Sequence, residues 1–598
     1  IAVPGGFQGA MENWGAITYN DQALLVNPSS TLANRQNVFS IQAHEMAHQW
    51  NGDLVTMGWW DDIWLNESFA SWMAAKETDR RNPSWNWWEN QDAAKEGAMD
   101  ADARVTSHPI EIHVTDELQA ENSFDPLITY SKGQAFLRML EAYLTPDTFR
   151  DGIRRYMKAR AFSNATSADL WKWLSAASGR DVAAVAASWT QQPGFPLVSV
   201  AATCDAAGKR TIALTQKRFL REGTDPNKAR WKVPMEIRSG SGGPQRVLFI
   251  REGQTVRAGS CAQPLSANAG AIGYYRVAYD DPTAALNAKT FSQLPNGDRI
   301  ALLDDTWALA SAAQAPLPSY LVLSSSMGTN ADARAWTQIA GALGTIELAE
   351  RGTSGYDAFT AYARGVLKPL ADRLGWNPKP GEGADTLQLR RTVLGDLGAW
   401  DDTTVAAEAR RRFAAFVRDR SAIAPDDQAT VLGVVAVNAD SATFDQLHAI
   451  AKSSKNETEI RRYYPALMNV RDPQLAQQAA AIALGPEIPQ QAAALRVRLI
   501  AGLGNYQPQL SWNTFKAHAD TLLAPLGTFA PIFLAEFIPA GAWNAAPLDE
   551  IEAFVKSKIP AEMAPNLARG MESARFSLKQ KTLLDAAADQ FVAQRAAR

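Results

Sequence analysis

His44-Glu45-Met46-Ala47-His48 limits how this chain can fold more than any other feature. Apolar residues at Val38, Ile41, Ala43 and Met46, stopped by Asn51-Gly52, predict a helix over 37–50 with a C-terminal glycine. Positions four apart share a helix face, so both imidazoles can reach one ion. Zinc in a catalytic site takes three protein ligands and keeps a fourth position for water, so another ligand must come from elsewhere. Glu67 is the candidate. Eighteen residues separate it from His48, and it opens a second predicted helix over 66–76, so a turn back between the helices brings it to the same ion. Two neutral imidazoles and one carboxylate leave such a site net positive, which lowers the pKa of bound water towards about 7. Glu45 then lies beside that water rather than on the metal, as general base and later as proton donor to the leaving group. Taken without its surroundings, the pentapeptide is also compatible with a surface histidine pair and a solvated glutamate.

The charge balance narrows the partners. Fifty-nine basic against 63 acidic residues leave a net charge of −4, so no global field favours nucleic acid or anionic lipid. No uncharged apolar stretch reaches 18 residues, so no membrane span is expected. With 598 residues, 46% of them apolar, the chain has core enough for about four domains of ordinary size. It begins at Ile1 without a charged leader region, which reads as a processed or cut start.

Tryptophan usage marks off the N-terminal third, since twelve of the 19 tryptophans precede residue 190. Further helices are predicted over 134–144, 147–158, 167–177 and 182–190, most opening near Ser, Asp or Asn. Gln192-Pro193-Gly194-Phe195-Pro196 then breaks helical periodicity and marks a boundary. From Leu197 to about Tyr279, alternating segments separated by Gly, Asp and Ser predict a small antiparallel β-sandwich. Ser239 to Gly243 lies between two of those strands and precedes no helix, so it reads as a hairpin loop rather than a phosphate cradle. From about Pro282 onwards the chain is Ala-rich, with apolar stripes such as Ile300, Leu303, Trp307 and Ala310. The expected domains are therefore three: 1–193, 194–281 and 282–598.

Several motifs in the same order make a resemblance. The two histidines, Glu45 and Glu67 are preceded by Gly9-Ala10-Met11-Glu12-Asn13. They are followed by Ser107-His108-Pro109, Tyr130-Ser131-Lys132-Gly133, Gln192 to Pro196 and Gly273-Tyr274-Tyr275-Arg276. The chain resembles the M1-class gluzincin zinc aminopeptidases, of the aminopeptidase N type, over essentially its whole length. The resemblance implies a mainly α, multidomain protein: a thermolysin-like α/β zinc catalytic domain, a small β-sandwich and a C-terminal α-helical superhelical array. It implies one Zn2+ held by His44, His48 and Glu67, with Glu45 as general base on the zinc-bound water and Tyr130 stabilising the oxyanion. Glu12 would hold the free α-amine of a peptide substrate. Gly9 and Ala10 would run alongside the peptide backbone, Gln8 would line the pocket for the first side chain, and Met11 and Asn13 complete the substrate-binding run. The family normally carries a β-rich portion before this run, so the resemblance also implies a missing N-terminal portion of the same enzyme.

The other polar groups have blander expectations. His108 and His113 read as structural, and Asp61 and Asp62 as a solvated turn or as partners of the ligand histidines. The tryptophan cluster reads as core around a deep site. Cys204 and Cys261 are either one bridge or two inert thiols, and a bridge would point to the periplasm or the cell exterior, as against the cytoplasm. Two other functions stay open at this point: an endopeptidase of the thermolysin type, and a non-catalytic peptide-binding scaffold or fragment.

Overall fold

The computed structural model describes residues 1–3, 9–329 and 332–596. The chain is mainly helical with small sheets, and it divides into two units. One comprises Ile1–Ala10, Thr18–Ile41 and Leu343–Arg598; the other comprises Met11–Ile17 and Gln42–Ala342. The expected boundaries at 193/194 and 281/282 both fall inside the second unit. There they mark where helices give way to strands and strands to helices.

The helix bearing the two histidines runs Leu32–His48 rather than 37–50. It starts earlier because Thr31 and Asn34 cap each other: Thr31 Oγ1 accepts from Asn34 N at 3.1 Å, and Thr31 N donates to Asn34 Oδ1 at 2.9 Å. It stops where Asp53 N takes the His48 carbonyl at 3.0 Å. The second helix is longer than expected, Trp64–Arg81, and follows a 3-10 turn over Trp60–Asp62. Helices Gly133–Leu144, Pro146–Arg160, Ser167–Ser178 and Val182–Thr190 lie where periodicity puts them.

A helix over Trp87–Asp102 was not expected from periodicity. It buries charge where an apolar stripe would normally stand. Asp92 and Lys95 are paired at 2.7 Å, and Arg334 reaches Asp92 at 2.9 Å.

The core of the second unit runs from Val55 to Val277. Trp64, Phe136 and Trp189 have no solvent exposure, and burying a side chain of this kind is worth roughly 1.5–3 kcal/mol. Trp72 and Trp171 join them, whereas Trp14, Trp50 and Trp59 are more than half exposed. The indole of Trp64 donates to Ser167 Oγ at 2.9 Å, which ties the start of the Glu67 helix to the Ser167 helix.

Between Pro196 and Tyr279 the strands form a four-stranded sheet in the order Gln254–Ser260, Lys209–Arg218, Pro196–Cys204, Arg276–Tyr279, and a three-stranded sheet of Leu265–Ser266, Val233–Ser239 and Gln245–Phe249. The expectation of a purely antiparallel arrangement is corrected at one edge, where Arg276–Tyr279 pairs parallel to Pro196–Cys204. That strand arrives from the other sheet through the 3-10 turn Ala269–Ala271, not through a hairpin. Ser239 to Gly243 does join two antiparallel strands. Cys204 and Cys261 are bonded, with Cα atoms 6.1 Å apart.

In the first unit consecutive helices pack as neighbours, and the final helix, Ala564–Ala596, packs along Tyr356–Leu374. The Tyr362 and Phe591 rings meet there edge to face at 5.4 Å. Pro508–Ala542 includes an 18-residue window of mean hydropathy 1.6, long and apolar enough for a membrane-crossing helix. Its backbone is interrupted, however: it leaves helical geometry at His518 (φ −123°) and at Gly527 (φ 54°, ψ −129°), and Pro525 supplies no amide donor.

Candidate metal centre

His44 and His48 occupy the last turns of the Leu32–His48 helix, with their rings edge to face at 4.5 Å. Their Nε2 atoms are 2.9 Å apart. Glu67, in the first turn of its own helix, brings Oε2 to 3.2 Å from His44 Nε2 and 3.5 Å from His48 Nε2. These three atoms form a triangle that fits a metal. A tetrahedral zinc with bonds of about 2.0–2.2 Å would set its ligand atoms about 3.3–3.6 Å apart, and the triangle's sides lie within roughly 0.4 Å of that spacing. Two imidazoles with one carboxylate is also a donor set that zinc takes.

The outer contacts orient the rings. His48 Nδ1 lies 3.0 Å from the Asn51 carbonyl; with Nδ1 as donor, the Nε2 lone pair faces the triangle. Ser71 Oγ stands 3.4 Å from His44 Nδ1. Asn51 holds this place because the chain reverses at Gly52, whose φ of +127° favours glycine and where a Cβ would fall 2.1 Å from Asn66 Oδ1.

The two glutamates of the centre sit in opposite electrostatic surroundings. For Glu67, burial works against the charged form, but hydrogen bonds from His44 and His48 and their charges outweigh it and hold the carboxyl down at about 2. For Glu45, only 5% exposed, burial pushes the carboxyl up to about 8; the Glu12 and Glu67 charges add to this and His48 opposes it.

Glu12 lies at the edge of the same cluster. It forms a group with Glu45 and His48 whose polar atoms are within 4.8 Å of one another. Asn66 Nδ2 donates to its Oε1 at 3.0 Å, and Gln49 Nε2 donates to its backbone carbonyl at 3.1 Å. Asn13, beside it, accepts from Ala16 N at 2.7 Å in a turn. Met11 ends the strand Ala10–Met11 with its side chain half exposed. Gly9 and Ala10 belong to the first unit, where Gly9 (φ +83°) gives its carbonyl to Asn20 N at 2.9 Å. Gln8 lies outside the described residues.

Tyr130 is presented by a π-helical turn over Pro126–Lys132. Its ring stacks on His44 at 6.0 Å and 16°. Burial, then the Glu67 carboxylate, push its phenol well above the usual range, so it stays protonated. Asp125 caps the turn by accepting from Leu127 N and Ile128 N at 2.7 and 3.1 Å. His108 Nε2 meets the other Asp125 oxygen at 3.2 Å, which makes His108 an anchor, as expected. Ser68, next to Glu67, donates to the Thr129 carbonyl at 2.5 Å. Gly133 lets the turn approach this closely, because a Cβ there would fall 1.9 Å from Ser68 Oγ.

Behind the turn, Lys132 is fully buried and paired with equally buried Asp102 at 2.8 Å. His113 pairs with Asp61 at 3.1 Å, and Asp62 accepts from Ser167 N at 3.1 Å. Ser71 thus stands beside the His44 ring, while Asp61 and Asp62 are engaged by His113 and Ser167. Asn66, Gln49, Ser71 and Asp125 escaped the sequence reading. Asn66 directly precedes Glu67 and Gln49 directly follows His48, and that adjacency was the available signal.

Residues 1–189 match the peptidase family M1 domain, and residues 265–576 match the ERAP1-like C-terminal domain. Aminopeptidase M1-A of Oryza sativa subsp. japonica is 32% identical over 97% of this chain and 67% of its own length. Aminopeptidase M1 of Arabidopsis thaliana is 32% identical over 96% of this chain and 68% of its own length. Probable aminopeptidase 2 of Sulfurisphaera tokodaii is also 32% identical, over 96% of this chain and 70% of its own length.

Proposed function

The chain belongs to the M1 peptidase family, and from that premise we propose that it is a zinc-dependent aminopeptidase that removes the N-terminal residue from peptides with a free α-amine. The observation that carries this reading is the placement of Glu12, whose carboxylate stands 4.0 Å from His48, one of the triangle's own residues.

His44, His48 and Glu67 would hold one Zn2+, which supplies a Lewis acid to polarise the scissile carbonyl and acidify water. Glu45 takes the proton from the attacking water and passes it to the departing nitrogen, roles that its water-poor setting suits. The protonated Tyr130 phenol donates to the carbonyl oxygen as that oxygen gains charge. Glu12 binds the substrate's α-ammonium, so a peptide with a blocked terminus loses its main anchor. Gly9, Ala10, Met11 and Asn13 follow the peptide backbone, and Gln8 lines the first side-chain pocket. Residues 1–193 are the thermolysin-like catalytic part, 194–281 a β-sandwich and 282–598 a helical array. The Cys204–Cys261 bond supports a periplasmic or secreted setting, where such bonds persist.

Replacing Glu45 by Gln should lower kcat by about 10²–10⁴ while one zinc per chain is retained, read by steady-state kinetics and metal analysis. Wild-type turnover by the metal-loaded variant would overturn the mechanism.

A further inference from the structure

Asn66 stands between two carboxylates. Its side-chain amide donates to Glu12 Oε1 at 3.0 Å and lies 3.5 Å from Glu67 Oε1. The residue is only 5% exposed, and it sits in the first turn of the rigid Trp64–Arg81 helix, with its backbone N–H on the Ile63 carbonyl at 3.0 Å. Its own side-chain carbonyl oxygen is buried, pressed against Gly52, and has no hydrogen-bond partner among the described residues. A buried unmade acceptor is costly, so the amide is held in this orientation by what its N–H groups do.

The residue type is also telling. A lysine or arginine here would neutralise Glu12 and remove its pull on a cation, and an aspartate would repel it. An amide is a neutral group with two donors, so it can touch both carboxylates and leave both charged. Gln49 completes the arrangement from the other side by holding the Glu12 backbone. Glu12 is thus fixed through residues that directly follow His48 and directly precede Glu67.

We propose that Asn66 is the positioning residue that sets exopeptidase register: it holds the Glu12 carboxylate at a fixed offset from His44, His48 and Glu67, so that an ammonium on Glu12 presents the first peptide bond, and no later one, to the metal site. This rests on the reading of Glu12 as the amine-binding group. Without Asn66 the carboxylate is free to turn away, and the advantage of a free amine shrinks even though the metal ligands are intact.

The test compares an alanyl arylamide with its des-amino twin, the propionyl arylamide, and adds calorimetric binding of leucinamide to the zinc-loaded Glu45→Gln protein. Asn66→Leu should shrink the free-amine preference in kcat/KM by at least about tenfold, mostly through KM, because a charge-assisted hydrogen bond that places a binding group is lost. It should weaken leucinamide binding by a similar factor with zinc still stoichiometric. Should the leucine variant not fold, Asn66→Ser, too short to reach Glu12, should give the same losses. In a Glu12→Gln background the Asn66 substitution should add little, since the two act as a unit. A wild-type preference that survives both Asn66 variants overturns the role of Asn66 alone. A wild-type enzyme that does not prefer the free amine overturns the Glu12 reading and this one with it.

Discussion

Three carboxylates, Glu12, Glu45 and Glu67, crowd around two imidazoles, and their surroundings separate their tasks. Glu67 Oε2 lies within 3.5 Å of both ring Nε2 atoms and its carboxyl is held down at about 2, while burial gives Glu45 a raised affinity for a proton. Elsewhere, burial and the Glu347 charge push Asp396 up to about 7. Its unfolded value is about 3.9, so between roughly pH 4 and 7 the folded chain keeps a proton that the unfolded chain has released. Stability therefore falls as pH rises through that window. Asp396→Asn should raise the melting temperature relative to wild type at pH 8 but scarcely at pH 4, and an equal effect at both pH values would contradict the assignment. The closeness of His44, Glu45 and His48 was legible in the sequence because helical spacing turns a short motif directly into geometry, whereas that of Glu67 rested on an expected turn back from one helix to the next. Asn66 and Asp125 were not legible, since each acts through a group distant in the chain and their residue types are common in helix starts and turns.

At the scale of elements, the Tyr130 turn depends on a buried ion pair. Lys132 follows Tyr130 by two positions and meets Asp102, and Asp102 also accepts from Gly194 N at 2.8 Å. The turn is thereby pinned to the linker where helices give way to strands. Removing one partner leaves an uncompensated buried charge, so Lys132→Met should cost about 3–5 kcal/mol, measured by urea unfolding. A loss below about 1 kcal/mol would mean that the pair contributes little. Helices with clear apolar stripes, such as Gly133–Leu144, were legible to within a residue or two. The π-helical turn was not, because nothing in the spacing of Pro126–Lys132 separates it from an α-helical start. Trp87–Asp102 was hidden because buried charges replace its apolar stripe. The parallel edge strand was hidden because strand alternation reports burial, not pairing direction.

At the scale of the whole molecule, the Leu32–His48 helix belongs to the first unit up to Ile41 and to the second from Gln42. Its N-terminus is fastened within the first unit by Asp426 Oδ1, which accepts from Leu32 N at 2.9 Å. The succession of helical, stranded and again helical stretches was legible from periodicity, alternation and turn residues. The two units were not, because Ile1–Ala10 and Thr18–Ile41 cluster with residues more than 300 positions away in sequence. On the proposed function, His44, His48 and Glu67 with Glu12 would cut peptides one residue at a time from a free amino terminus. Mass spectrometry of the products from the zinc-loaded protein, given a short peptide and its N-acetylated twin, separates stepwise from internal cleavage. The expected result is a ladder of products shortened stepwise from the free N-terminus and an intact acetylated twin. Internal cleavage of either peptide, or equal digestion of both, would contradict it.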